Sequence, residues 1–119
     1  MQKQSAHFLF ADQTDIEDLG GGLKRQMLGY NHELMAVKVW FDNGAEGYTH
    51  KHRHSQVTYV EQGEFHFRIG DETKVLKAGD SCLIPPNVEH GAVCPTGGIL
   101  IDTFSPARED FIEAQDDAN

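Results

Sequence analysis

The chain is expected to fold as one all-β domain, a sandwich or closed barrel of short strands. Three observations carry this: apolar and polar residues alternate with period two, the alternating runs are short, and Gly, Pro, Asn and Asp break them at spacings of roughly 8 to 12 residues. Met35, Val37, Val39 and Phe41 share one face of a strand whose other face carries Leu34, Ala36, Lys38 and Trp40, and Asp42, Asn43 and Gly44 then turn the chain. Val57 to Val60 is the next strand, broken at Gln62 and Gly63. Phe65, Phe67 and Ile69 face one way and Glu64, His66 and Arg68 the other, so His66 is expected to point outward rather than to act as a ligand. After Gly70, Asp71 and Glu72 comes Lys74 to Leu76, and after Ala78, Gly79 and Asp80 comes Ser81 to Ile84, stopped by Pro85, Pro86 and Asn87. His90 to Cys94 and Gly98 to Phe104 complete the set, with the core placed at about residues 30–106 of a single domain spanning 1–119. Gly20, Gly21 and Gly22 are taken as a flexible connection, since no helix with the Gly and Lys spacing of a phosphate loop follows. The acidic tail Glu109 to Asn119 is either a last helical turn or disordered.

Composition narrows the function. A chain of 119 residues supports one core and no second domain. With 19 acidic against 10 basic residues the formal charge is -9, which disfavours nucleic acid, whose phosphates demand an excess of Lys and Arg. An anionic small molecule would need a local positive site, which draws attention to the few arginines. No basic segment followed by an apolar run opens the chain, and no stretch is apolar and long enough to span a bilayer, so a soluble, cytoplasmic protein without membrane contact is expected. Cys82 and Cys94 sit in apolar, strand-like contexts and are expected to be reduced core thiols. The strands around Val37 to Phe41 and Ile99 to Thr103 carry apolar residues on both faces, which implies a second burial surface and hence a symmetric homodimer.

The stretch His50, Lys51, His52, Arg53, His54, Ser55, Gln56 carries the chemistry. Alternate residues of an extended strand share a face about 6.5 Å apart, so His50 and His52 can approach one ion from the same side. Neutral imidazole suits zinc, nickel, copper or iron(II), and a glutamine amide oxygen adds a ligand without adding charge. His54 points the same way by the same alternation. Taken alone, the run reads equally well as a cluster of solvated surface histidines.

The surrounding spacing resembles the two cupin motifs. Gly44, His50, His52, Gln56 and Gly63 follow the first, with Gln where it usually carries Glu; Gly79, Pro85 and His90 follow the second, with Asn87 in place of its Gly and Cys94 in place of its Asn. The resemblance implies a cupin jelly-roll barrel holding one divalent transition metal ion (nickel, zinc, iron, cobalt or copper) on His50, His52, Gln56 and His90. An amide in place of a carboxylate leaves the ion less compensated and more Lewis acidic. Further runs, Asp18 to Leu28 (DLGGGLKRQML), Ile84 to His90 (IPPNVEH) and Asp102 to Phe111 (DTFSPAREDF), are similar to those of the KdgF-like pectin-degradation proteins.

That likeness implies ring opening and ketonization of 4,5-unsaturated uronate monosaccharides left by pectin or alginate lyases, so the partner is a small anionic sugar. Asp102 would move the proton, because Leu100, Asp102 and Phe104 share a strand face and an inward Leu100 turns the carboxylate into the barrel; capping of the Ser105 and Pro106 turn is its other reading. Phe104 would line the sugar pocket or set the angle of Asp102, and an ordinary core role fits it equally. Arg108 offers the planar fork that grips a carboxylate through two bonds, against a surface ion pair with Glu109 or Asp110. Lys24 and Arg25 are alternatives for the same duty, since one of the two faces inward if their segment is a strand. A metal-dependent cupin dioxygenase and a non-catalytic sugar-binding cupin are the competing functions.

Overall fold

Alternation becomes ten strands: β1 (Ile16–Gly20), β2 (Leu23–Tyr30), β3 (Met35–Phe41), β4 (Ala45–His50), β5 (Ser55–Gln62), β6 (Glu64–Ile69), β7 (Glu72–Lys77), β8 (Ser81–Ile84), β9 (His90–Cys94) and β10 (Gly98–Ser105). The structure, a computed structural model, describes residues 4–112. One sheet has the order β1-β2-β3-β10-β5-β8 and the other β4-β9-β6-β7. Every pairing is antiparallel, and β10 inserts between β3 and β5 while β9 inserts between β4 and β6. These long-range insertions make a jelly roll rather than a string of hairpins.

The inward faces are those the alternation predicts. Met35 and Val37 are fully buried on β3, as are Val60 on β5 and Phe65 on β6, while His66 lies exposed on the outer side. Two apolar clusters result. Phe41, Val60, Phe65, Phe67, Ile84 and Leu100 centre the larger. Met27, Met35, Val37, Phe104, Ala107 and Ile112 form the other.

The barrel begins well before residue 30, because β1 and β2 extend the larger sheet. Arg25, Gln26 and Met27 are buried in succession, which defeats a period-two reading. Gln26 faces outward but is roofed by the segment before β1, its Nε2 donating to the carbonyls of Ala11 and Thr14 at 3.0 Å each. Gly20, Gly21 and Gly22 are no flexible connection: they make a tight β1–β2 turn with φ of 78°, 61° and 84°, a left-handed run that side-chain-bearing residues resist. At the other end, residues 109–112 form a helical turn whose Phe111 and Ile112 N–H groups donate to the Arg108 carbonyl at 3.0 and 3.4 Å. The remainder of the acidic tail, 113–119, lies outside the described residues.

Both cysteines are free thiols, Cys94 fully buried and Cys82 half-buried. No helix among the described residues is long and apolar enough to cross a membrane. The outer face of the larger sheet carries an apolar row, with Leu83 63%, Val57 47% and Tyr59 45% exposed; Leu83 lies opposite Val57, and Tyr59 opposite Ile101.

Candidate metal centre

His50 ends β4 and His90 opens β9 directly across from it, their rings 4.4 Å apart. Close backbone approach beside them requires Gly91, where a Cβ would come within 3.0 Å of the Gly47 carbonyl. His52 follows in the connection to β5, its ring 4.9 Å from that of His90. One ligand atom from each of His50, His52 and His90 lies within 4.8 Å of the others, so the three could hold a metal ion. The turn after β8 fixes His52 from behind: Asn87, at φ 63°, donates its N–H to the His52 carbonyl at 2.7 Å. Asn is among the few side-chain-bearing residues that tolerate this left-handed conformation, which explains how it replaces the Gly of the motif.

Hydrogen bonding selects the tautomers of His50 and His90. Nδ1–H of His50 donates to the Tyr48 carbonyl at 2.7 Å and that of His90 to the Val88 carbonyl at 2.9 Å, while His52 Nδ1 lies 3.0 Å from the His54 carbonyl. For His50 and His90 this leaves Nε2 as a lone pair, the state a metal requires, whereas His52 faces a carbonyl oxygen at each ring nitrogen. Burial pushes His90 down to about 4, keeping its ring neutral at physiological pH, and also lowers His52. Two further features fit a cation. His90 Nε2 is buried without a hydrogen-bond partner among the described residues. His52 Nε2 stands 3.0 Å from Gln56 Oε1, a hydrogen bond when Nε2 carries the proton and two lone pairs turned to one point when Nδ1 does, because the Gln56 amide nitrogen is committed to Thr58.

That commitment leads to Asp102. Gln56 Nε2 donates to Thr58 Oγ1 at 2.9 Å, and the Thr58 hydroxyl donates to Asp102 Oδ1 at 2.7 Å. The chain crosses from β5 to β10, where Asp102 lies opposite Thr58. Burial pushes the Asp102 carboxyl up from an ordinary 3.8 to about 6, against the opposing pull of Thr58, Gln56 and Arg108. Asp102 does not cap the Ser105 turn; Ser105 Oγ donates instead to the Glu33 carbonyl.

These groups open onto one cavity of about 360 Å³, the size of a small-molecule site. His50, Gln56, His90, Asp102, Phe104 and Arg108 line it, with apolar walls from Phe41, Phe67, Leu100 and Phe111. Phe104, 2% exposed, stands edge-on to the rings of His52 and Phe111, at 5.8 and 5.6 Å. Arg108 reaches the cavity and also makes the expected ion pair: its Nε and Nη2 donate to the two Asp110 oxygens at 3.0 and 2.8 Å. Of the pair Lys24 and Arg25, Lys24 is exposed and Arg25 lines the cavity.

His54 stays outside the converging trio. Its ring is buried, edge-on to His52, and its Nε2 approaches Glu109 Oε1 at 3.5 Å without hydrogen-bond geometry. Thr58 and Phe111 are the site residues that pattern reading misses. Thr58 was detectable as a hydroxyl on the inward face shared by Gln56 and Val60; Phe111 lies in a tail without strand alternation and offered no such signal.

Comparisons with known proteins agree with this fold. The model of the Cupin domain family matches residues 38–101. The pectin degradation protein KdgF of Dickeya dadantii (strain 3937) is 43% identical over 107 residues, covering 88% of this chain and 97% of that protein. An RmlC-like cupin from Shewanella frigidimarina NCIMB 400 superposes with a TM-score of 0.91 at 74% identity, over 92% of this chain and 99% of that one. KdgF from Halomonas sp. superposes with a TM-score of 0.85 at 37% identity, over 90% and 99% of the two chains. With a jelly roll, both motifs and a full-length relative in hand, the chain belongs to the cupin family and, within it, to the KdgF-like proteins.

Proposed function

We propose that the protein opens the ring of 4,5-unsaturated uronate monosaccharides and ketonizes them to linear keto-deoxyuronates, with a divalent transition metal ion on His50, His52, Gln56 and His90. The observation that carries this reading is that one cavity joins His50 and His90 of the three-histidine cluster, a carboxyl poised near neutrality and arginine side chains. The likeness to the pectin degradation protein KdgF supports the substrate class.

When bound, the ion supplies Lewis acidity to a substrate oxygen. Asp102 accepts the proton that leaves the anomeric hydroxyl as the ring C–O bond breaks, and returns a proton to C4 as the enol at C5 becomes a ketone. Substrate and product are isomers, so no redox partner enters. A carboxyl held near 6 is matched to both halves of this transfer. Thr58 fixes the carboxyl by donating to Oδ1, and Phe104 stacks edge-on against His52 while walling the sugar from water. Arg108 offers its guanidinium to the sugar carboxylate. Unsaturated uronates from pectin and from alginate share the C4=C5 enol ether and the carboxylate on which these groups act, so both fall within the proposed substrate class.

The test is to incubate the metal-loaded protein with unsaturated galacturonate and follow ultraviolet absorbance of the enol ether together with dissolved oxygen. Loss of absorbance without oxygen uptake is expected. Oxygen uptake would replace the proposal with a dioxygenase, and no change in either would replace it with a binding role.

A further inference from the structure

Arg25 is a second guanidinium in the cavity, and proton transfer as derived above makes no use of it. It is only 7% exposed, an expensive place for a charge unless the charge is paired. Glu17 on β1 supplies the pairing, accepting from Nε at 3.4 Å and from Nη2 at 3.1 Å. Asp110 grips the same edge of Arg108, through Nε and Nη2. Each arginine is thus held by its Nε/Nη2 edge, and each leaves Nη1 without a hydrogen bond among the described residues. Both guanidinium carbons lie against one ring, 3.9 Å (Arg25) and 4.3 Å (Arg108) from the centre of Phe111, which brings two donors from opposite ends of the chain to one wall.

Register sets the distance from this wall to the reacting groups. Arg25 lies opposite Val39, and Val39 opposite Leu100, with Asp102 two residues further along β10. Two strand spacings and two residues put the Cα atoms of Arg25 and Asp102 about 12 Å apart. Both side chains line the same cavity. In a chain of net charge -9, an anion entering this cavity needs such local donors.

We propose that Arg25 is the acid-recognition residue of the cavity: its Nη1 edge, with that of Arg108, binds the sugar carboxylate and selects uronates over neutral sugars. This rests on the uronate reading above. The alternative role, a brace that only holds the C-terminal turn through Phe111, predicts lost stability with unchanged selectivity.

Binding of D-galacturonate and of D-galactose to the full-length, metal-loaded protein, measured by calorimetry, separates the two. The wild type is expected to prefer the acid by about 10-fold or more, and Arg25→Gln to lose about that factor for galacturonate with galactose unchanged. On the unsaturated uronate, Arg25→Gln should raise KM with kcat nearly kept. Arg25→Lys keeps the charge without the planar edge and should show a smaller rise in KM. A wild type without preference for the acid, or a folded Arg25→Gln with the wild-type ratio, would overturn the proposal. Should Arg25→Gln not fold, an unchanged ratio and KM in Arg25→Lys would overturn it equally. A wild type that prefers galacturonate, loses the preference in Arg25→Gln and yet leaves the unsaturated uronate unconverted would refute the ring-opening reading and leave the acid site standing.

Discussion

Asp102→Asn should stabilise the metal-free protein, by an amount that grows with pH, while nearly silencing the metal-loaded one. In the unfolded chain this carboxyl titrates near its ordinary 3.8, and burial raises it to about 6 in the fold. Between those values the folded state keeps a proton that the unfolded state has released, so stability falls as pH rises through that window and the loss is complete above about pH 6 to 7. Raising the carboxyl this far corresponds to about 3 kcal/mol at most. Asn keeps an oxygen for the Thr58 hydroxyl but loses the charge-assisted strength of that bond, an offset of about 1 kcal/mol. A net gain of about 2 kcal/mol at pH 8 would raise Tm by roughly 5 to 10 °C in a domain of this size. Circular dichroism melts of chelator-treated wild type and variant from pH 4 to pH 8 measure it. The curves should nearly meet at pH 4 and diverge above it, while metal-reconstituted variant loses about 100-fold or more in turnover. A difference in Tm that stays constant across this range, or a variant that melts lower throughout, would show that burial does not raise this carboxyl.

Other outcomes follow from the same site. His90→Ala should lose the ion, seen as a fall in bound metal by elemental analysis and as loss of the rise in Tm that added metal gives the wild type; full occupancy would remove His90 from the ligand set. Gln56→Glu should keep the ion and slow ketonization, since an added negative charge lowers Lewis acidity, and an unchanged rate would mean that charge at this ligand does not matter. Cys82, pushed up to about 11 by burial and by the nearby Asp102 charge, should carry only about a thousandth of its thiolate form at pH 8 and alkylate far more slowly than free cysteine; equal rates in mass spectrometry would contradict its environment. The outward row of Leu83, Val57 and Tyr59 is expected to pair two copies of the chain, so sedimentation should give a dimer at micromolar concentration that Leu83→Lys weakens, and a monomeric wild type would refute this.

What was legible in the sequence is what repeats with period two or runs between turn residues. Phe65 to Ile69 alternates cleanly and became β6, whereas Met35 to Phe41 and Gly98 to Phe104, apolar on both faces, were marked by their length and by the turn residues that bound them and became β3 and β10. β2 was hidden because Arg25 and Gln26 are buried by partners remote in sequence, Glu17 and Phe111 for the first and the carbonyls of Ala11 and Thr14 for the second. In the site, His50 and His52 stood out by their spacing, and His90 through the likeness to the second cupin motif. The link from Gln56 through Thr58 to Asp102 did not, since it crosses two strands separated by 44 positions. His54 shows the limit of alternation: the chain between His50 and Ser55 is not a regular strand, so sharing parity with His52 did not place it in the trio.

The three Nδ1 contacts of the cluster all run to carbonyls only two residues away, at Tyr48, His54 and Val88. Ring orientation is therefore set by the local backbone and does not wait for the ion, so emptying the site should leave its shape intact. Metal exchange then becomes a matter of entry and exit through the mouth where His50 is exposed, rather than of refolding. Protein stripped by a chelator should regain activity as fast as metal is mixed in, and different ions offered in turn should be compared in one and the same preformed cradle.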